Sequence, residues 1–106
     1  MLTYENIINY ILERFYRYEW SKTKNASNVK KHRGFELLDG SEIFLDPARI
    51  ILKDERFDYR ESRYIAIGNV DDNILSVCFT PRGFLKRRLI SVRRASRKER
   101  RMYYRR

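Results

Sequence analysis

Residues 63–92 have the sequence RYIAIGNVDDNILSVCFTPRGFLKRRLISV, and this stretch decides the fold. It contains three runs rich in β-branched and aromatic residues, a composition that favours strands. The runs are 63–68, 74–80 and 84–92. Two triplets separate the runs, Asp71-Asp72-Asn73 and Pro81-Arg82-Gly83, and both are typical of tight turns. The pattern predicts three consecutive antiparallel strands.

One further strand and a helix are predicted next to this stretch. Residues 48–52 are apolar, follow the turn sequence Asp46-Pro47 and precede a highly charged connection, so they predict another strand. After the last strand, Ser96 is followed three residues later by Glu99, which is the spacing of a capping box at a helix start. The chain should therefore end in a helix.

Three helices are predicted before the strands. In residues 1–16 the apolar residues have helical spacing and Thr3 is a plausible N-cap, so this segment predicts an amphipathic helix. Its apolar positions are 4, 7, 8, 11, 12 and 15. Ser21 and Gly34 are capping residues for a second helix, and residues 36–44 predict a short third one. The expected fold is α+β: N-terminal helices, an antiparallel sheet of about four strands with helices on one face, and a C-terminal helix.

The net charge is concentrated at one end of the chain. Residues 81–106 hold 12 Lys or Arg and one acid, whereas residues 1–80 hold 12 bases and 13 acids. The basic residues alternate with Leu, Ile, Val and Tyr, so they belong to a folded scaffold and not to a disordered tail. A folded basic surface on a near-neutral body favours a polyanionic partner, RNA or DNA first of all.

Several classes of function are disfavoured by composition. A chain of 106 residues is one small domain, and with one His and one Cys it has no pair of these residues at metal-ligand spacing. Cys78, between Val77 and Phe79, is predicted to be a buried and inert thiol. The acidic pairs Asp54-Glu55 and Asp71-Asp72 are expected to lie in solvated loops. No apolar run suits a membrane helix and no secretion signal is evident, so a cytoplasmic protein without a cofactor is expected.

The lone His32 is a candidate catalytic group because its unperturbed pKa is the one nearest neutrality. Helical spacing places Asn28, Lys31 and His32 on one face. The alternative is that His32 merely ends a lysine-rich solvated helix, and composition alone favours that alternative.

Arginines and aromatic residues supply further candidates. Arg63 and Arg93 lie at strand ends, where two guanidiniums on adjacent β segments would form a fork for a phosphate; ordinary surface charge is the alternative. Tyr103 and Tyr104 could stack on bases or pack the last helix onto the sheet. Trp20 is a core anchor or a platform for a base.

Read in order, these residues form a succession of short motifs. The succession is Glu19-Trp20, Lys24, Asn28-x-x-Lys31-His32, Phe44-x-Asp46-Pro47, Glu61-x-Arg63-Tyr64-Ile65-Ala66-Ile67-Gly68 and Ile90-Ser91-x-Arg93-x-Ala95-x-x-x-Glu99-Arg100-x-x-Tyr103. It resembles the BrnT family of toxins from bacterial type II toxin–antitoxin modules, over about residues 18–104. We therefore predict a BrnT-like toxin domain at 17–106, preceded by an additional helix at 1–16.

The resemblance implies a fold similar to RelE-like ribonucleases and a metal-independent endoribonuclease that acts on RNA. It also implies inhibition by a BrnA-like antitoxin, with operator DNA bound by the toxin–antitoxin complex mainly through the antitoxin. The Lys31-His32 pair, Arg63 and Arg93 fall on the family's motif positions and are the predicted catalytic residues, and Glu61 and Glu99 also match. The predicted RNA contacts are Trp20, Lys24, Asn28, Arg88 and Arg100.

Three departures from the family pattern accompany the resemblance. The helix in 1–16 is an addition that covers the core, mediates self-association as a homodimer, or lies against the antitoxin. Ser21 replaces a common Asp, and one residue is inserted after His32. Two other classes of function stay open: a non-catalytic RNA- or DNA-binding module, and a decayed toxin that serves as an antitoxin-binding protein.

Overall fold

The computed structural model describes residues 3–56 and 58–105. Its elements follow the predicted order of helices, strands and a final helix. They are α1 (Tyr4–Glu13), β1 (Arg17–Glu19), α2 (Lys22–Lys31), a 3₁₀ helix (Leu37–Leu45), β2 (Ile50–Lys53), β3 (Tyr64–Val70), β4 (Asn73–Pro81), β5 (Lys86–Arg94) and α3 (Arg97–Arg105). Within this part of the chain no helix is long and apolar enough to cross a membrane.

The strands form one sheet in the order β1-β5-β4-β3-β2. Strands β2 to β5 are antiparallel neighbours, which confirms the α+β prediction. The sheet has five strands instead of about four, because β1 joins the edge of β5 in parallel, with Arg17 opposite Lys86. With only three residues, β1 has no alternation that would predict its pairing with β5.

The main core lies between one face of the sheet and the 3₁₀ helix. Val77 and Val92 are paired across β4 and β5 and are fully buried against this helix. Gly40 permits the close packing, since a Cβ at this position would lie 2.7 Å from Cγ2 of Val77. The predicted third helix therefore forms, as a 3₁₀ helix.

A second, smaller core lies on the opposite face. Ile67 and Ile74 pack there against Ala95 and Tyr103, which α3 and the residues before it supply. The prediction of helices on one face is wrong, because β4 carries apolar residues on both faces and each face needs a cover. The α3 helix covers only one end of its face; farther along, Cys78 and Ser91 are half-buried.

The buried contact of the first helix with the body is an ion pair. Glu13 is its buried residue, and both of its carboxylate oxygens contact the Arg87 guanidinium, at 2.6 and 3.1 Å. Arg49 adds a third contact at 3.3 Å. Thr3 caps the helix as predicted. The interpretation that this helix covers the core is wrong, because its large apolar side chains are exposed.

Candidate active site

The uncovered part of the second sheet face carries most of the candidate residues. We call it the open face and define it by Arg63, Cys78, Arg88, Ser91 and Arg93. Strand pairing places Ser91 opposite Cys78 and Arg93 opposite Ser76. The register shifts next to Cys78, so that Ile90 is an extra residue and Arg88, opposite Thr80, points to the same side as Ser91.

Arg63 and Arg93 share the open face but do not form the predicted fork. Arg63 directly precedes β3 and Arg93 is on β5, so β4 lies between them. Arg93 is level with Ile67, to which Ser76 is also paired, and Arg63 is four residues before Ile67, or about 13 Å along the strand. The fork on adjacent strands is therefore wrong, and the two guanidiniums mark opposite ends of the face.

Glu99 fixes the Arg93 guanidinium. The two Arg93 Nη atoms contact the two carboxylate oxygens at 2.7 and 3.1 Å. Glu99 also forms the predicted capping box: it accepts the Ser96 N–H at 2.8 Å while its own N–H donates to Ser96 Oγ. Burial raises the pKa of Glu99, but the hydrogen bonds from Arg93 and Ser96 outweigh it and lower the pKa overall. Glu99 is therefore an ionised anchor for Arg93, a role that sequence analysis missed.

His32 lies at the C-terminal end of α2 and is close to Arg93. Its backbone N–H donates to Asn28 O at 2.9 Å, which ends the helix. The pKa of His32 is lowered, first by partial burial and then by the positive charges of Arg93 and Lys31. Three of the four predicted catalytic residues are thus near one another, and the imidazole is held in its neutral form near pH 7.

The chain's single histidine makes this charge coupling measurable by NMR titration of the imidazole. We expect His32 to titrate below about 6.5 in the unmodified chain. Arg93→Gln should raise its pKa part of the way back, since burial remains while one repelling charge is lost. Arg94→Gln, at the exposed neighbouring position, is the matched control and should leave it unchanged. Equal titration in all three proteins would contradict this geometry.

A basic cleft of about 220 Å³ adjoins His32 between α2 and β5. Lys24, Lys31 and His32 line one side, and Ile90 and Ser91 line the other. Lys24 is exposed, as an RNA contact must be.

Asn28 has a structural role in place of the predicted RNA contact. It is 3% exposed, and its Nδ2 donates to the carbonyls of Phe35 and Val92 at 2.8 and 2.9 Å. Its Oδ1 accepts the Val92 N–H at 2.9 Å. Strand β1 pairs with β5 only at residues 86–88, so the outward-facing backbone N–H and C=O of Val92 need another partner. Asn28 supplies it and thereby fixes the helix that carries Lys31 and His32; direct RNA contact by Asn28 is wrong.

The other predicted RNA contacts are distributed over the molecule. Trp20 is partly buried against the main core, in agreement with its interpretation as a core anchor. Arg88 contacts Glu19 at 2.9 Å, and Arg100 donates to the Ala95 carbonyl at 2.6 Å. Of the two tyrosines, Tyr103 packs α3 onto the sheet, whereas Tyr104 is exposed. Of the residues in this paragraph, Arg88 is the one on the open face.

The Arg63 end of the open face is built around a buried carboxylate. Asp54 accepts from Arg56 at 2.8 and 2.9 Å and from the Tyr59 hydroxyl at 3.1 Å. These bonds, chiefly those from Arg56, lower the pKa of Asp54 to about 2. The prediction of a solvated loop is therefore wrong for Asp54, which is 5% exposed.

Arg63 is held more loosely than Arg93. Its Cζ lies 4.1 Å from the Tyr59 ring centroid, and its Nη2 is 3.4 Å from Glu61. Its Nε is buried without a hydrogen-bond partner among residues 3–56 and 58–105. Glu61 is shared with Arg82 at 3.1 Å. The Arg63 side chain is 21% exposed, and its ion pair with Glu61 is long, so the guanidinium is less tightly fixed than that of Arg93.

Cys78 lies on the floor between the two ends. The predicted strand position is confirmed, but the side chain is only half-buried. Burial, and then the charge of Asp54, raise the pKa of the thiol, so it is protonated at neutral pH. Among the described residues, no three His, Cys, Asp or Glu side chains are close enough to hold a metal ion.

Comparisons with known proteins bear on the family of this chain. Residues 20–99 match the family model for the ribonuclease toxin BrnT of type II toxin–antitoxin systems. The 1.1 Å crystal structure of the Brucella abortus ribonuclease toxin BrnT is similar, with 27% identity and a TM-score of 0.61 over 77% of this chain and 99% of that one. No curated protein sequence matches the chain. The predicted resemblance is confirmed: this chain belongs to the BrnT family of ribonuclease toxins of type II toxin–antitoxin systems.

Proposed function

We propose that this protein is a metal-independent endoribonuclease that inhibits translation in the bacterial cytoplasm and is neutralised by a BrnA-like antitoxin. The observation that carries the proposal is the grouping of His32 with Lys31 and Arg93 beside the open face, where burial and the two positive charges lower the pKa of the imidazole. A metal-free cleavage by the 2′-OH needs a base, cations that stabilise the charge on phosphorus and a proton for the leaving 5′-oxygen; this group of side chains offers the base and the cations.

In the proposed reaction the RNA supplies its own nucleophile, the 2′-OH next to the scissile phosphate. Neutral His32 takes the proton of this hydroxyl as the oxygen attacks phosphorus. Arg93 and Lys31 stabilise the additional negative charge on the phosphorane, and Glu99 keeps the Arg93 guanidinium in place. The P–O5′ bond breaks as the 2′-oxygen bond to phosphorus forms, and the departing 5′-oxygen takes a proton from water, so the products are a 2′,3′-cyclic phosphate and a 5′-hydroxyl.

Arg63 has a different part in this proposal. Its backbone is about 13 Å from the level of Arg93 along the sheet, with β4 between the two strands, so we assign it to a neighbouring segment of the RNA as the strand crosses the open face. Lys24 and Arg88 extend the same basic track. An acidic segment of the antitoxin would neutralise this track and cover His32 together. In the complex, operator DNA would be contacted mainly by the antitoxin.

Incubation of the purified chain with RNA and with DNA of the same sequence, in excess EDTA, tests the proposal. We expect cleavage of the RNA to fragments with cyclic phosphate ends and no cleavage of the DNA, because DNA lacks the 2′-OH. Activity that disappears with EDTA and returns with a divalent metal ion would contradict metal independence.

If free RNA stays intact, a translating extract is the next substrate. Cleavage there would retain the ribonuclease and make it ribosome-dependent. Salt-sensitive RNA binding without cleavage in either assay would instead favour the non-catalytic binding module. The ion pair of Arg93 with Glu99 is compatible with that second candidate. In the free protein Glu99 already neutralises part of the positive charge that catalysis would use.

A further inference from the structure

The apolar side of α1 faces away from the protein. Tyr4, Ile8, Ile11 and Phe15 recur at intervals of four, three and four residues, which aligns them on one side of the helix and the turn after it. Their exposed fractions are 80, 41, 51 and 66%. Glu13, the buried residue of this helix, lies on the opposite side at 100° per residue. We call these four apolar residues the α1 stripe.

The contact between α1 and the body is not a packed interface. A cavity of about 420 Å³ separates part of the helix from the 3₁₀ helix, and Asn6, Ile7, Asn9 and Tyr10 line it from the α1 side. None of the stripe residues lines that cavity. The ion pairs of Glu13 with Arg87 and Arg49 hold the helix at this position. An amphipathic helix whose apolar side is turned outward exposes surface that a monomer would normally bury.

From this orientation we infer that the α1 stripe is a self-association surface, at which two copies of this chain pair through their first helices. A standard interface buries about 800 Å² on each partner. The stripe and its flanking residues Ile7 and Leu12, which are 44 and 50% exposed, offer a large part of such an area in apolar side chains.

Charge favours a second copy over other occupants. The chain carries a net charge of +10, so the repulsion between two copies is smallest where they meet at an uncharged surface. The stripe contains no ionisable group except the Tyr4 hydroxyl, and the neighbouring Glu5 and Arg14 have opposite signs. An acidic antitoxin segment or a nucleic acid would gain no charge complementarity here, whereas the open face offers it.

Position in the fold supports the same choice. The helix contacts the 3₁₀ helix, on the side of the sheet opposite the open face, so pairing through α1 leaves both basic faces accessible. The family match begins at residue 20, after α1, and a surface for the family's antitoxin should lie within the matched residues. The inference does not depend on catalysis.

Sedimentation equilibrium of the purified full chain tests the inference. We expect a species of about twice 13.0 kDa at micromolar concentration, persisting at 0.5 M salt because the contact is apolar. Ile8→Glu/Ile11→Glu should convert it to a monomer with unchanged thermal stability and unchanged RNA cleavage or binding. Leu38→Glu/Phe84→Glu, two exposed apolar residues outside α1, is the matched control and should remain a dimer.

A second variant controls for the possibility that the glutamates unfold α1. Ile8→Ala/Ile11→Ala preserves helix propensity and should raise the dissociation constant at least tenfold. A chain that is monomeric up to 100 micromolar overturns the inference. The antitoxin would then be the favoured partner of the α1 stripe. A dimer that survives both α1 variants also overturns it, because the contact would then lie elsewhere.

Discussion

Arg93→Ala should reduce the rate of RNA cleavage by about 10²-fold, the loss typical when one preorganised donor to a transition-state charge is removed. The reason is its position: Arg93 is beside His32, is fixed by Glu99, and is level with the middle of β4 on the open face. The loss should appear in the rate at saturating RNA, because the charge on phosphorus develops only in the transition state.

Arg63→Ala should behave differently, with about a tenfold loss that appears mainly in KM. Its guanidinium lies at the far end of the open face and binds RNA in the ground state and the transition state alike. Single-turnover cleavage measured over a range of RNA concentrations separates the two effects. A rate at saturation that is unchanged in Arg93→Ala would contradict the proposed site.

Two controls make these measurements interpretable. Arg94→Ala removes an equal charge at the exposed neighbouring position and should cost little. Because Arg93→Ala also leaves Glu99 without its partner, thermal unfolding of each variant must show that the protein is folded at the assay temperature. Glu99→Gln should lower activity less than Arg93→Ala, since it loosens the guanidinium without removing it.

Local signals in the sequence predicted much of the fold. Thr3 and Ser21 cap their helices, and Ser96 with Glu99 forms the capping box, because each cap depends on residues three positions apart. The turn Asp71-Asp72-Asn73 was predicted from its residue types, and both aspartates adopt positive φ there. Runs of β-branched and aromatic residues between turn sequences predicted β3 and β4.

Long-range contacts were beyond such reasoning. The carboxamide of Asn28 is paired with Val92, 64 residues away, so helical spacing assigned it to the wrong surface. Asp54 is buried because Arg56 and Tyr59 fold back onto it, which a charged loop sequence does not reveal. The separation of Arg63 from Arg93 followed only from the strand order.

The Glu13–Arg87 pair is the clearest long-range contact, and both side chains are almost inaccessible to water. Arg87 is 7% exposed, with its Cζ 3.6 Å from the ring centroid of Tyr16 and 3.9 Å from that of Phe44. Its Nη1 is also 3.1 Å from the Tyr18 hydroxyl. Within a basic segment, an arginine enclosed by aromatic rings cannot be distinguished by sequence from its exposed neighbours.

Arg87→Met should lower the free energy of unfolding by about 3–5 kcal/mol, because it leaves the Glu13 carboxylate buried without its main partner. Chemical denaturation at pH 7 measures the change. The double variant Glu13→Leu/Arg87→Met should regain most of the loss, since two apolar residues replace both charges at similar volume. If α1 instead swings away and hydrates Glu13, the single variant will lose less than 1 kcal/mol and the double variant will gain nothing, and the pair would then be a surface contact. The double-mutant cycle therefore distinguishes a buried charge that anchors α1 from a helix that is held only weakly.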